Sequence, residues 1–201
     1  IGGWFDHNAN GSIDSGEITS ATASEAVALG ASANAVGSYS TALGTSTYAS
    51  TVASTAVGSY STATGRYSLA LGAGPTAGGD YAVAVGDIAL ASGRKAVAIG
   101  ASSVASGGQA FALGPYADAS ASNSTALGGA IDLNGNGTIE ANEKTTSSAG
   151  LSMALGTDAQ ATQTNASAVG AEAVASGLGA TALGSLSTAS ATGSVAIGIN
   201  S

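Results

Sequence analysis

The chain has 201 residues, of which 31 are glycine, 2 phenylalanine and 1 tryptophan, and Ala, Ser and Thr dominate the remainder. So little side-chain bulk excludes an ordinary globular core and points to stacked small units whose backbone layers close on one another. Twelve acidic residues against four basic ones leave a formal charge of -8, and there is no cysteine; the charge sets nucleic acid aside as a partner, and the missing thiols exclude disulfides and thiolate metal sites.

The first predicted element, residues 3–23, breaks the pattern that governs the rest of the chain. Residues 6–17 read DHNANGSIDSGE, which fits an oxygen-rich calcium loop. A carboxylate stands at position 1, Asn oxygens at 3 and 5, Gly at the sharp turn at 6, a carbonyl at 7 and a Glu able to bind through both oxygens at 12. The predicted ligands are Asp6, Asn8, Asn10, the Ser12 carbonyl and Glu17, with Asp14 ligating directly or through water. Trp4 and Phe5 precede the loop as an apolar plug beneath it, and His7 sits at the second position, where side chains face away from the ion. The flanks GGWF and ITSATASEA carry no amphipathic helical stripe, so a helix-loop-helix sensor is not expected and calcium would be structural.

From Ala28 onward a period of 14 takes over. Glycine recurs at Gly30, Gly44, Gly58, Gly72, Gly86, Gly100, Gly114 and Gly128, each preceded by Leu, Val or Ile and, before that, by Ala. Half a unit later runs a second alanine series, Ala35, Ala49, Ala63, Ala77, Ala91, Ala105 and Ala119. Disordered linkers share this composition but have no reason to hold it in phase, and frequent internal Gly and Thr argue against helices. The predicted coil is two short strands joined by two tight turns, the glycine sitting where a side chain would obstruct the turn. Within each Ala-aliphatic-Gly strand the alanine faces one way and its neighbours the other. Which face lines the lumen is left open, but a thin stack cannot hide both, so parallel association of several chains is expected. At about 4.8 Å per coil the stack would run on the order of 65 Å.

Tyr39, Tyr48, Tyr60, Tyr67, Tyr81 and Tyr116 lie between the two pattern breaks, mostly near predicted turns. There they either reach a ligand or cover the edges of an interface between chains. Arg66, Arg94 and Lys95 are expected to pair with Asp80 and Asp87. A water-ordering Thr face, as in an ice-binding solenoid, would need an unbroken Thr column. The column holding Thr41, Thr55 and Thr125 also holds Leu69, Val83 and Phe111.

The second break, residues 129–149, contains DLNGNGTIEANE at 132–143. Its predicted ligands are Asp132, Asn134, Asn136, the Thr138 carbonyl and Glu143, with Glu140 in the place of Asp14. The two loops hold six of the twelve carboxylates, and such concentrations repel unless a cation joins them. Calcium suits the flexible carbonyl and amide ligands better than magnesium does. Gly2 and Gly3 align with Gly128 and Gly129, Thr19 with Thr145, and Ala28-Leu29-Gly30 with Ala154-Leu155-Gly156. Each insert therefore takes the space of two coils and restores the phase, which then continues to Gly198.

No catalytic constellation is legible. The sole histidine is in a calcium-type loop, no Ser sits in a nucleophile turn, and GAGPTAGGD at 72–80 lacks the Lys-Ser/Thr of a phosphate loop. No stretch is apolar enough to span a membrane, and residue 1 is not followed by a signal-peptide pattern, so this segment is not expected to contact a membrane.

SVAIG at 194–198, KAVAIG at 95–100 and STALG at 40–44 and 124–128 resemble the head repeats of the trimeric autotransporter adhesins, the YadA-like family, over nearly the whole chain apart from the inserts. The resemblance implies an all-β, left-handed parallel β-roll (solenoid) of 14-residue coils, homotrimeric, forming one repetitive head domain over residues 1–201. It further implies an extracellular passenger region at the outer membrane of a Gram-negative bacterium, attaching to a host extracellular-matrix protein or another cell surface. A heptad stalk, a neck and a membrane anchor are absent from these residues, and the calcium-type loops depart from the plain repeat. A passive spacer carrying another adhesive module is the alternative, because so regular a surface offers few aromatic hot spots.

Overall fold

A computed structural model describes residues 9, 11, 12 and 18–201. Its repeating element is a coil of two strands, one of three residues such as Thr41–Leu43 and one of two such as Tyr48–Ala49. The chain divides into two compact units, residues 1–95 and 96–201. In the first unit the long strands stack in parallel from Val27–Leu29 to Val83–Val85, and the short strands from Ser20–Ala21 to Leu90–Ala91. In the second they run from Val97–Ile99 to Val195–Ile197 and from Val104–Ala105 to Thr188–Ala189. Each unit is a parallel β-solenoid. Register advances by one sequence period per coil: Thr41 pairs with Thr55, Ala42 with Ala56, Leu43 with Val57, and Tyr48 with Thr62. Among the described residues no helix is long and apolar enough to cross a membrane.

The alanine face is the lumen. Ala42, Ala56 and Ala70 of the long strands and Ala49, Ala63 and Ala77 of the short strands are all fully buried. Two facing strands can approach closely only when their inward side chains are this small, and that closeness supplies the close packing that bulky residues provide elsewhere. A further small-residue position precedes each strand: Ser40, Thr47, Ser54, Ser61 and Ser68 are also buried. The coil is thus two seven-residue halves, each giving the lumen two small side chains.

Each half ends in a tight turn with one residue in the left-handed region. Ala53 (φ 53°) precedes Ser54, whose N–H donates to the Thr51 carbonyl at 3.2 Å and whose hydroxyl donates to the same oxygen at 2.8 Å. Ser68, Ser103, Ser124 and Ser187 repeat the hydroxyl bond to the carbonyl three residues before them. A buried hydroxyl that would otherwise cost its desolvation is thereby satisfied inside its own turn. The periodic glycine answers to a different constraint. Gly58 has φ 120°, and a Cβ on it would lie 1.8 Å from the carbonyl oxygen of Gly72 in the next coil. The glycines keep adjacent coils at sheet spacing, while the left-handed turn position takes residues as different as Tyr67, Ser46, Ile88, Lys95 and Asp158.

The second insert does not occupy two levels of the stack. Thr125–Leu127 pairs directly with Met153–Leu155, and Asp118–Ala119 with Thr146–Ser147. One coil is therefore enlarged by an excursion, rather than two coils being replaced as the sequence phase implied. Conservation of phase did not distinguish these cases, because 28 residues return to the same register whether they make one level or two. An antiparallel bridge between Ala130 and Lys144 pins the excursion's two ends together.

Candidate functional site

Of the first loop's expected ligands, Asp6, Asn8, Asn10, Asp14 and Glu17 lie outside the described residues, as do Trp4, Phe5 and His7, while Ser12 is described and exposed. The second loop is described throughout. Asp132 caps its first turn, Oδ1 accepting the N–H groups of Gly135 at 2.6 Å and Asn136 at 3.2 Å and Oδ2 that of Gly137 at 2.8 Å. The chain can turn this sharply because Gly135 and Gly137 have φ of 70° and 80° and stand in open space.

Glu140 is the hub of the exposed side. Asn134 Nδ2 donates to its Oε2 at 3.0 Å, and Asn136 Nδ2 and Thr138 Oγ1 donate to its Oε1 at 2.8 and 2.7 Å. These bonds favour the charged form and hold the Glu140 carboxyl down at about 2, the Asn136 amide contributing most. Glu143 is instead buried, at 1% exposure. Its Oε1 accepts the N–H groups of Leu133 and Asn134 at 3.1 and 3.3 Å, and its Oε2 that of Glu140 at 3.1 Å.

The loop thus brings Asn134, Asn136, Thr138 and Glu140 into one hydrogen-bonded group, with Asp132 and Glu143 bracing the backbone on either side. The Thr138 N–H and hydroxyl are turned to Asn136 Oδ1, at 2.7 and 2.5 Å. Among the described residues, no three His, Asp or Glu side chains converge as a metal-holding set.

Beneath the loop, the anchors are residues that the motif did not single out. Lys144 Nζ lies 3.6 Å from Asp118 Oδ2. Gln160 Nε2 donates to the Asn142 carbonyl at 3.0 Å and to Asp158 Oδ1 at 3.1 Å. Asp158 is buried, at 4% exposure, and burial raises its pKa, with Glu172 and Glu143 adding to the rise and the Gln160 bond opposing it. The available signal was positional: Asp118 and Gln160 occupy the short-strand column on either side of the insert, paired in sequence through Thr146.

The outer faces of each unit differ in chemistry. On the long strands the outward column after the alanine is aliphatic, and Leu29, Leu43 and Leu71 of the first unit are 44, 40 and 42% exposed, as are Leu127 and Leu183 of the second at 37 and 44%, while the outward column before it mixes Thr, Ser, Phe and Met with aliphatics. On the short strands the corresponding column after the alanine reads Val36, Ser50, Thr64, Gly78, Ser92, Ser106 and Ser120, mostly hydroxyl-bearing. The expected pairing of Arg66, Arg94 and Lys95 with Asp80 and Asp87 is not found: among the described residues none of these cations forms an ion pair. Asp80 Oδ1 accepts the backbone N–H of Arg66 at 2.9 Å. The tyrosines do stand at turns, Tyr39, Tyr60, Tyr67, Tyr81 and Tyr116 all with positive φ and all exposed.

An alanine-filled parallel solenoid, with an in-phase glycine at each long-strand end, defines a repeat protein of the β-solenoid class. The profile of the YadA head domain repeat (2 copies) matches residues 21–47, 49–74, 77–103, 91–117, 105–130, 147–173 and 175–201. The chain belongs to this family, and the matches pass over most of the second insert. No curated protein matches the chain.

Proposed function

We propose that the chain is the head segment of a trimeric autotransporter adhesin, displayed outside the outer membrane of a Gram-negative bacterium and attaching it to host matrix, cells or surfaces. In this reading three left-handed coils stand side by side with their long-strand faces together. The observation that carries it is the in-register column of part-exposed Leu, Val and Ile that follows the lumen alanine on the long strands of each unit. A soluble chain has no reason to keep such a strip in register, whereas burying it is worth about 1 kcal/mol for each half-exposed side chain. The role is binding and display rather than catalysis. Sedimentation equilibrium tests the assembly: a mass of about 56 kDa, three chains of 18.6 kDa, is expected with calcium and with excess chelator. A monomer in both overturns it.

We further propose that calcium braces the two inserts. The support is the ligand spacing of both loops, the positive φ of Gly135 and Gly137, and a Glu140 that stays a carboxylate down to about pH 2. Asp132, Asn134, Asn136, Thr138, Glu140 and Glu143 would supply the oxygens of the second site, and the equivalent residues those of the first. Binding would exchange the loop's internal hydrogen bonds for bonds to the ion. Calorimetric titration is expected to show two calcium ions per chain, with one lost in Glu143→Ala and one in Glu17→Ala; no heat of binding by the unsubstituted chain sinks the idea.

A further inference from the structure

The turn edge that leads into the long strands of the first unit carries chemistry that neither the assembly face nor the inserts use. Successive rungs of this edge are tied together by the backbone: the N–H of Tyr67 donates to Val52 O at 3.0 Å, that of Tyr81 to Arg66 O at 2.7 Å, and that of Lys95 to Asp80 O at 2.8 Å. Tyr67, Tyr81 and Lys95 therefore stand one above another at roughly 4.8 Å per rung, with Arg66, Asp80 and Arg94 in the adjoining column.

The rings of Tyr67 and Tyr81 stack with centroids 5.2 Å apart and planes within 10°, and the Arg66 guanidinium lies 6.0 Å from the Tyr67 centroid. Tyr67 and Tyr81 are 49 and 50% exposed, and Arg66, Arg94 and Lys95 are exposed as well. Three of the four basic residues in a chain of charge -8 are thus gathered on one edge. The single acid among them, Asp80, uses Oδ1 on a backbone N–H and pairs with none of the three cations. At physiological salt, charges more than about 8 Å away are largely screened, so a short anionic ligand meets this edge and not the net charge of the chain.

We propose that this edge binds a short acidic oligosaccharide, sugar rings bearing carboxylate or sulfate groups, lying along the rungs. The Tyr67 and Tyr81 rings cover one face of each other, and their remaining faces, edges and hydroxyls meet the sugar rings, while Arg66, Arg94 and Lys95 take the anionic groups, which guanidinium groups can do through two parallel hydrogen bonds. Arg66 stands two rungs from Arg94 and Lys95, about 9.6 Å away, with Asp80 on the rung between, so the anionic groups of alternate rings of one oligomer meet the cations. The site uses none of the residues assigned to the assembly face or to the calcium loops, so it is tested independently of the trimer and of calcium.

The test is calorimetric titration of the full chain with an oligoguluronate hexamer, a purely carboxylated probe, against maltohexaose as the neutral counterpart. The chain is expected to bind the acidic hexamer and not the neutral one. Tyr81→Ala and the double variant Arg94→Gln/Lys95→Gln are each expected to weaken binding about tenfold or more. Both are compatible with the fold, because Ala53 and Gln109 already occupy the same turn position with φ 53° and 59°. Equal binding by the variants, equal binding of maltohexaose, or no binding of the acidic hexamer overturns the proposal. So does tighter binding of an acidic peptide of equal charge, which would show that the tyrosines are not reading sugar rings.

Discussion

Thr145 Oγ1 lies 2.6 Å from the carbonyl oxygen of Gly156, and Thr19 Oγ1 donates to the Gly30 carbonyl in the same way, the partners standing 11 positions apart in each case. Both inserts therefore rejoin the coil stack through the same hydroxyl, and Thr145 also reaches Gly129 O at 2.8 Å. Thr145→Val keeps the shape and removes the donor beneath a fully buried position. It is expected to cost about 1 to 3 kcal/mol in a denaturant melt, with Thr145→Ser close to the parent. A valine variant as stable as the parent would mean that the hydroxyl is not what closes the insert.

The periodic glycines and the turn glycines are expected to respond oppositely to alanine. Gly58→Ala drives a Cβ to within 1.8 Å of Gly72 O, so coils must separate and the variant is expected to lose its β signal in circular dichroism. Gly193→Ala meets open space at φ 64° and is expected to cost only about 1 kcal/mol for the left-handed backbone. Comparable melts for the two would contradict the close-approach role of Gly58.

Filling the lumen should be as damaging as separating the coils. Ala98 is fully buried between strands held apart only by methyl groups, and Ala98→Phe has no space to collapse into. It is expected to abolish ordered solenoid structure, whereas the outward Val97→Leu, one residue away, should leave the dichroism spectrum unchanged.

Asp158 gives stability a pH dependence of known sign. Its carboxyl is raised from 3.8 by burial, so the fold holds the proton more tightly than the unfolded chain does. The associated stability is complete below pH 3.8 and is lost as pH rises through the raised value. Asp158→Asn keeps an acceptor for Gln160, and Asn tolerates the left-handed backbone found here at φ 55°. The variant is expected to match the parent in thermal midpoint near pH 3 and to exceed it near pH 7; an equal difference at both values would refute the assignment.

Calcium removal is expected to loosen residues 131–143 without dissolving the sheets, because the strand ladders on either side pair directly across the insert. Hydrogen exchange with and without chelator checks this. Faster exchange confined to the insert is the expected outcome, and collapse of protection at Ala126 and Ala154 would mean that the ion holds the stack itself.

Much of the architecture was legible because it depends on phase. The Ala-aliphatic-Gly triplets placed every long strand, and the second alanine series every short strand except two: Thr146–Ser147, where Ser147 stands for Ala, and Ser20–Ala21, which the sequence reading placed inside the first insert. The lumen was not legible from these triplets, since both faces of Val97-Ala98-Ile99 are apolar and only packing distance selects the alanine side. The small residues at Ser40, Thr47 and Ser54 carried that information: a column restricted to Ser, Ala, Thr and one Pro, Pro75, marks an interior with no room. The loop's spacing was readable, but its footing was not. Asp118, Asp158 and Gln160 reach the insert through coil stacking, which places residues 18 or more apart in sequence against each other, as for Gln160 and Asn142. Expected ion pairs at Arg66 failed because the turn geometry gave Asp80 a nearer donor in the backbone.

Because the excursion departs at Ala130 and returns at Lys144 on the same level of the stack, the solenoid does not count its residues. Any segment whose ends can be held at that bridge would leave the pitch and register above and below it untouched. The enlarged coil is thus a port in an otherwise closed wall, at which new recognition loops can be fitted or exchanged without renegotiating the structure that carries them.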